Sequence, residues 1–131
     1  MKNIIEIISE MYDGDIKLYN PAETIPDIIP TELAEILKVS NGIMEMFNLG
    51  NTLLEIGWII YPCEMIVEST EFFKNQCGID GVVFSDDGAG NPFYIKSNGL
   101  IYFYEYEYSD GAEVAVSNSL YEYFTECCEI L

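Results

Sequence analysis

The chain has 131 residues, of which 23 are Asp or Glu and only five are Lys or Arg, giving a net charge of −18, and half of all residues are hydrophobic. That balance describes one folded, very acidic domain over residues 1–131 and excludes a disordered acidic tail, whose hydrophobicity would be far lower. All five cations are lysine and His is absent, which excludes guanidinium grips on phosphate, Ser-His-Asp or Cys-His catalysis and histidine metal ligation, and with them nucleic-acid binding and most hydrolase chemistry.

The N-terminus has no signal-peptide pattern, and no apolar run approaches the ~20 residues of a membrane span, so a cytoplasmic protein without membrane contact is expected. Ile4, Ile5, Ile8, Met11 and Tyr12 fall on one helical face, and Asp13-Gly14 stops the helix they predict. Pro21, Pro26 and Pro30 then make residues 19–30 an ordered connector, because each removes a backbone donor and holds its predecessor extended. Thr31 is placed to cap a second helix with Leu33, Ile36 and Leu37 inward, ended by Asn41-Gly42. Residues 53–61 (LLEIGWIIY) read as a buried strand with a bulge at Gly57 and Trp58 in the core, and Pro62 opens a third helix ended by Gly78, with Met65, Ile66, Phe72 and Phe73 inward.

From residue 81 strands alternate with turn dipeptides: 81–85, 92–96, 100–108 and 113–116, with Asn98-Gly99 and Asp110-Gly111 as hairpin signals. Loops this short dictate an antiparallel meander. Within it Ile101, Phe103, Glu105 and Glu107 share one face, and Tyr102, Tyr104, Tyr106 and Tyr108 the other. Ser119-x-x-Glu122 has the spacing of a capping box, and Leu120, Tyr123, Phe124, Cys127, Cys128 and Leu131 form the apolar stripe of a last helix. Cys63, Cys77, Cys127 and Cys128 lack C-x-x-C spacing and are expected as reduced core thiols, Cys127 and Cys128 unbridged.

Two stretches carry a resemblance. IPTELAEILKVSNG (29–42) resembles the "P-x-x-L-x-x-h-L-x-x-x-N-G" element of the SUKH superfamily, where h is hydrophobic. GVVFSDDGAGNPFYI (81–95), with NGLIY (98–102) and VAVSNSLYEYF (114–124), is similar to its "hhFxxDGxGNxxxh…G-x-h-Y…V-A-x-S-h-x-x-F" half. The resemblance implies an α+β fold, an antiparallel sheet with helices packed mainly on one face. It implies, too, a function among bacterial immunity proteins that neutralise polymorphic toxins or, alternatively, among regulatory scaffolds of cell-wall assembly.

Asp86-Asp87-Gly88-Ala89-Gly90-Asn91 concentrates carboxylates as a calcium loop does, but the bidentate acid an EF-hand needs at its twelfth position is replaced by Ser97 or Asn98. A strand-to-strand turn capped by its own Asp side chains, or a partner contact, fits better. Acid pairs of the glycosidase kind occur by chance among so many carboxylates, so no catalytic residue, cofactor or metal is assigned. The candidate partner-binding residues are Asp86, Asp87, Asn91, Tyr104, Glu105, Tyr106, Glu107 and Asp110, because a strongly negative field attracts a basic protein and aromatic side chains favour interfaces. The expected partner is a cognate toxin with a basic domain, a nuclease foremost, blocked by occlusion against the acidic surface.

Overall fold

Every strand that the computed structural model describes, over residues 3–105 and 112–127, pairs antiparallel. The fold is α+β and carries two sheets. One runs in the order β1 (Ile16–Leu18), β2 (Ile43–Leu49), β3 (Thr52–Ile60), and the other β4 (Val82–Asp86), β5 (Pro92–Ile95), β6 (Ile101–Glu105), β7 (Ala112–Ser117). The second is the meander read from the turn dipeptides. At Asn98-Gly99, however, the hairpin is a three-residue loop in which the Gly99 amide bonds to Lys96 O and Gly99 takes φ 84°, the bulge position of a longer turn.

The helices are α1 (Ile4–Met11), α2 (Thr31–Leu37), α3 (Cys63–Cys77) and the single turn α4 (Leu120–Glu122). Asn3 caps α1 by accepting from the Glu6 amide, and Asp13 at φ 53° with Gly14 at φ 80° turns the chain away. Thr31 does not cap α2: Pro30 holds the N-cap position and Thr31 is already helical. Two helix N-termini are instead served by residues distant in sequence. The Asn41 side chain accepts from the Cys63 amide at 2.8 Å, and the Glu32 carboxylate accepts from the Leu120 and Tyr121 amides at 2.7 and 3.3 Å. Ser119 Oγ accepts from the Glu122 amide, as the capping box requires. Both Glu32 and Asn41 belong to the 29–42 motif, so its polar positions serve the fold, tying α2 to α3 and α4.

The core is one cluster joining Ile8 of α1, Leu33 and Leu37 of α2, Ile66 of α3 and Val83, Phe84 and Tyr94 of the meander. Thr70 of α3 accepts from the Val83 amide, so this helix covers the outer edge of β4. Ser40, fully buried, accepts from the Tyr19 amide and donates to Gly42 O, which fixes the proline connector against the end of α2.

Four expectations are corrected. Residues 43–49, read as no element, form β2, because Leu49-Gly50-Asn51-Thr52 closes a two-residue hairpin with Gly50 at φ 66°. The strand at 53–61 is buried only at its end: Thr52–Ile56 is exposed and Trp58 is half-buried, while the bulges fall on either side of Gly57. Phe72 is exposed on α3. The last helix is not a continuous α-helix, since a π-helical turn over Tyr123–Cys127 follows Glu122 and buries the adjacent Tyr123 and Phe124 together. The Cys127 side chain, Cys128 and Leu131 lie outside the described residues, whereas Cys63 and Cys77 are free thiols.

Candidate partner-binding surface

β5 starts where β6 ends, since Phe93 pairs with Phe103 and Ile95 with Ile101. Continuing that register sets Pro92 beside Tyr104 and brings the 86–91 turn to the same end of the sheet as Tyr104 and Glu105. Five of the predicted contact residues therefore share one end of the meander. The others, Tyr106, Glu107 and Asp110, lie outside the described residues, as does the Asp110-Gly111 turn.

The turn is held from within. Asp87 Oδ1 accepts from the Ala89 and Asn91 amides at 2.8 and 3.1 Å, Oδ2 accepts from Asn91 Nδ2 at 2.8 Å, and the Asp87 amide donates to Asn91 O. Burial alone would raise the Asp87 carboxyl, but these donors outweigh it and hold it below the ordinary carboxylate range. Asp86 Oδ1 accepts from the Gly88 amide at 2.7 Å, and Oδ2 accepts the hydroxyl of Tyr61. Burial and then the Asp86 carboxylate drive Tyr61 far above the usual tyrosine range, which keeps it a donor. Both carboxylates thus serve their own turn. Among the described residues no group of three or more His, Cys, Asp or Glu is placed to hold a metal ion.

The described half of the tyrosine row is engaged within the chain. Tyr102 stacks on the fully buried Tyr94, with centroids 5.9 Å apart and planes 16° from parallel, and Lys96 lies 4.5 Å over its ring. Tyr94 donates to Glu113 Oε1, and Lys96 Nζ reaches Glu113 Oε2 at 2.6 Å. Tyr104, half-buried, pairs across the strands with Glu113, and Glu105 with Ala112. This row is packing at its Tyr102 end, and Tyr104 is half-buried as Tyr102 is.

A cleft of about 590 Å³ opens where the two sheets part. The sheets touch at Tyr61, whose amide donates to Phe84 O, and at Trp58 O, which accepts from Ser85 Oγ. Beyond that junction β3 runs back toward its turn while β4 runs on into the 86–91 turn. Between them Ile56, Trp58, Phe93 and Phe124 line apolar walls, with Glu45, Asp86 and Asp87 as the charged residues. No lysine lines it. A second, shallower cavity of about 830 Å³ lies between the proline connector and the start of α3, bounded by Pro21, Pro26, Trp58 and Cys63. Burial pushes the Cys63 thiol up, away from the reactive thiolate.

Sequence reasoning found β3 but missed β2, and with it the exposed ribbon that the two strands form. Phe47, Leu49, Leu53, Leu54 and Ile56 make up five of the eleven exposed large apolar side chains among the described residues. The available signal was Gly50-Asn51 between two apolar runs, a hairpin dipeptide. No family model, no curated protein and no solved structure matches the chain. Among the described residues no helix is long and apolar enough to cross a membrane.

Proposed function

We infer that the chain is an immunity protein, a non-catalytic cytoplasmic inhibitor that neutralises a toxin with a basic domain, foremost a nuclease, by covering it. The observation that carries the reading is the acidic surplus and its disposition. Three of the five lysines, Lys17, Lys38 and Lys96, already lie against Glu55, Glu35 and Glu113, so little positive charge is left to offset the other acids of a chain whose net charge is −18. Such a field repels nucleic acid and raises the encounter rate with a cationic protein, imitating the phosphates a nuclease binds. The motif resemblance supports the same reading from the side of sequence.

The test is to read the genes on either side for a large secreted protein with a C-terminal toxin domain, to co-express the chain with that domain, and then to follow their association by stopped flow. Growth should be rescued, and the association rate should fall steeply with salt, since exposed charges are screened beyond roughly 8–10 Å at physiological ionic strength. Neutralising Glu105, Glu107 and Asp110 together should slow capture while the melting temperature holds. Salt-insensitive capture, or no rescue, would overturn the reading.

A further inference from the structure

The ribbon formed by β2 and β3 continues past its cover. β1 pairs only with residues 43–45 of β2, and at the base of the sheet Ile43 and Ile60 are fully buried in the same core cluster as Ile8 of α1 and Phe124 of the π-helical turn. Side chains alternate along a strand and directly paired residues share a face. Phe47 and Leu49 therefore lie on the same face as buried Ile43, and Leu54, the partner of Phe47, joins them. The core-facing side of the sheet thus runs on as an apolar surface, with Phe47 50% and Leu49 60% exposed. Ile56, left unpaired by the bulge and 55% exposed, turns this surface into the cleft beside Glu45 and Asp86. Among the described residues β3 has no strand on its outer side before the junction at Trp58, and this edge carries neither Pro nor Lys. An uncovered apolar edge of this kind is a template for another strand.

Charge decides the occupant. A second copy would bring another −18 against this one and be repelled at the encounter stage. A cationic polypeptide is attracted, and the cleft offers apolar walls for the stem of a Lys or Arg with Glu45, Asp86 and Asp87 at its head. We propose that the β2–β3 ribbon and the cleft at its base form one docking surface for an extended, basic segment of a partner protein, which pairs with the free edge of β3 and inserts a Lys or Arg beside Asp86. The proposal rests on the toxin-binding reading and moves its centre from the end of the meander to the other sheet. It divides the labour: acids govern approach, and Phe47, Leu54 and Ile56 govern residence.

The experiment uses the full chain and a synthetic peptide of alternating Val and Lys, with alternating Val and Glu as the charge-reversed control, read by amide chemical shifts. Saturable one-to-one shifts are expected at Thr52–Trp58 and Asp86–Gly88 with the Lys peptide only. The double substitution Leu54→Thr and Ile56→Thr, both at exposed strand positions, should leave the melting curve in place and weaken binding at least about tenfold, equivalent to about 1.4 kcal/mol. Shifts scattered over the exposed acids of α3 (Glu64, Glu68 and Glu71), equal binding of the Glu peptide, or an unchanged affinity in the double variant would overturn the proposal. Sedimentation showing dimers that the double variant abolishes would assign the surface to a second copy instead. Peptide binding that appears only after residues 128–131 are removed would assign it to the chain's own C-terminus. If the peptide binds as expected and the neighbouring toxin is not neutralised, the docking surface stands and the immunity reading falls. If the toxin is neutralised equally by the double variant, the reverse holds.

Discussion

Gly81 sits where no side chain fits: a Cβ there would lie 2.7 Å from the ring of Tyr94 and 3.1 Å from Ile95 O. Tyr94 has no room to yield, being fully buried, stacked on Tyr102 and bonded to Glu113. Gly81→Ala should therefore destabilise the protein by about 1–3 kcal/mol, the usual range for overpacking, in a urea denaturation curve. The Asp87 turn offers a second residue-scale test. Its carboxyl is held low by Asn91 and by backbone amides, so the associated stability is fully present above the unfolded carboxyl pKa of about 3.9 and is lost as pH falls through the lower folded value. Asn91→Ala removes the side-chain donor while leaving the amides, and the Asp87 titration followed by carboxyl carbon NMR should move toward the ordinary value without reaching it. A titration that stays put would remove Asn91 from the account. The same network explains why this cluster of acids and glycines, ambiguous as a motif, is a turn: both Asp87 oxygens are already occupied by donors of its own loop.

Elements joined by distant caps make a separable prediction. Pro30 and Pro62 occupy the N-cap positions of α2 and α3 and have no side-chain oxygen, so the amide of Cys63 depends on Asn41. Glu32 serves two amides of α4 and adds a negative charge at a helix start. Asn41→Ala should cost about 0.5–2 kcal/mol, the range for a lost cap. Glu32→Ala should exceed Glu32→Gln, because the amide side chain retains one acceptor, and hydrogen exchange at Leu120 should report the difference. The meander was legible because Asn98-Gly99 carries a fixed backbone preference and its strands are short β-branched and aromatic runs, buried nearly continuously in β4 and β5. β2 was illegible for the opposite reason. Ile43 and Met44 are both buried at the base while Phe47 and Leu49 are exposed at the tip, so no period of two in polarity marks the strand. β3 misled in the same way, since an apolar composition reports a tendency to be covered and does not say by which chain. The π-helical turn hid because the spacing of Tyr123, Phe124 and Cys127 suits an α-helix equally well. Asn41 reads only as a helix end and Glu32 carries no local signal at all, because their partners lie 22 and 88 residues away.

At the scale of the whole molecule, charge opposes the fold that hydrophobic burial builds. With 23 acids against five lysines the compact state repels itself, and the lysine contacts with Glu35, Glu55 and Glu113 relieve only part of that. Added monovalent salt should therefore stabilise the protein, with the denaturation midpoint rising most between low and physiological ionic strength, where the screening length shortens from about 30 to about 8 Å. Acid has two opposed effects. Self-repulsion weakens as pH falls from 7 toward the carboxylate range, because each proton taken up removes one negative charge. The Asp87 and Glu113 contributions run the other way: burial would raise both carboxyls, yet Asn91 and the turn amides for one, and Lys96 with Tyr94 for the other, hold them low. Their share of stability is intact above the unfolded carboxyl range near pH 4 and drains away below it. Lys96, raised mainly by its bond to Glu113, adds stability that is complete below the unfolded lysine pKa and is lost as pH climbs through the higher folded value. Stability should thus peak on the acid side of neutrality and above about pH 4, and the peak should flatten in high salt as the repulsive part is screened. Urea midpoints measured from pH 4 to 8 at two ionic strengths test this directly. A monotonic loss from pH 7 to 5 at low salt would mean that self-repulsion is small in the folded chain, and the long-range field invoked for capturing a basic partner would then be too weak to guide it.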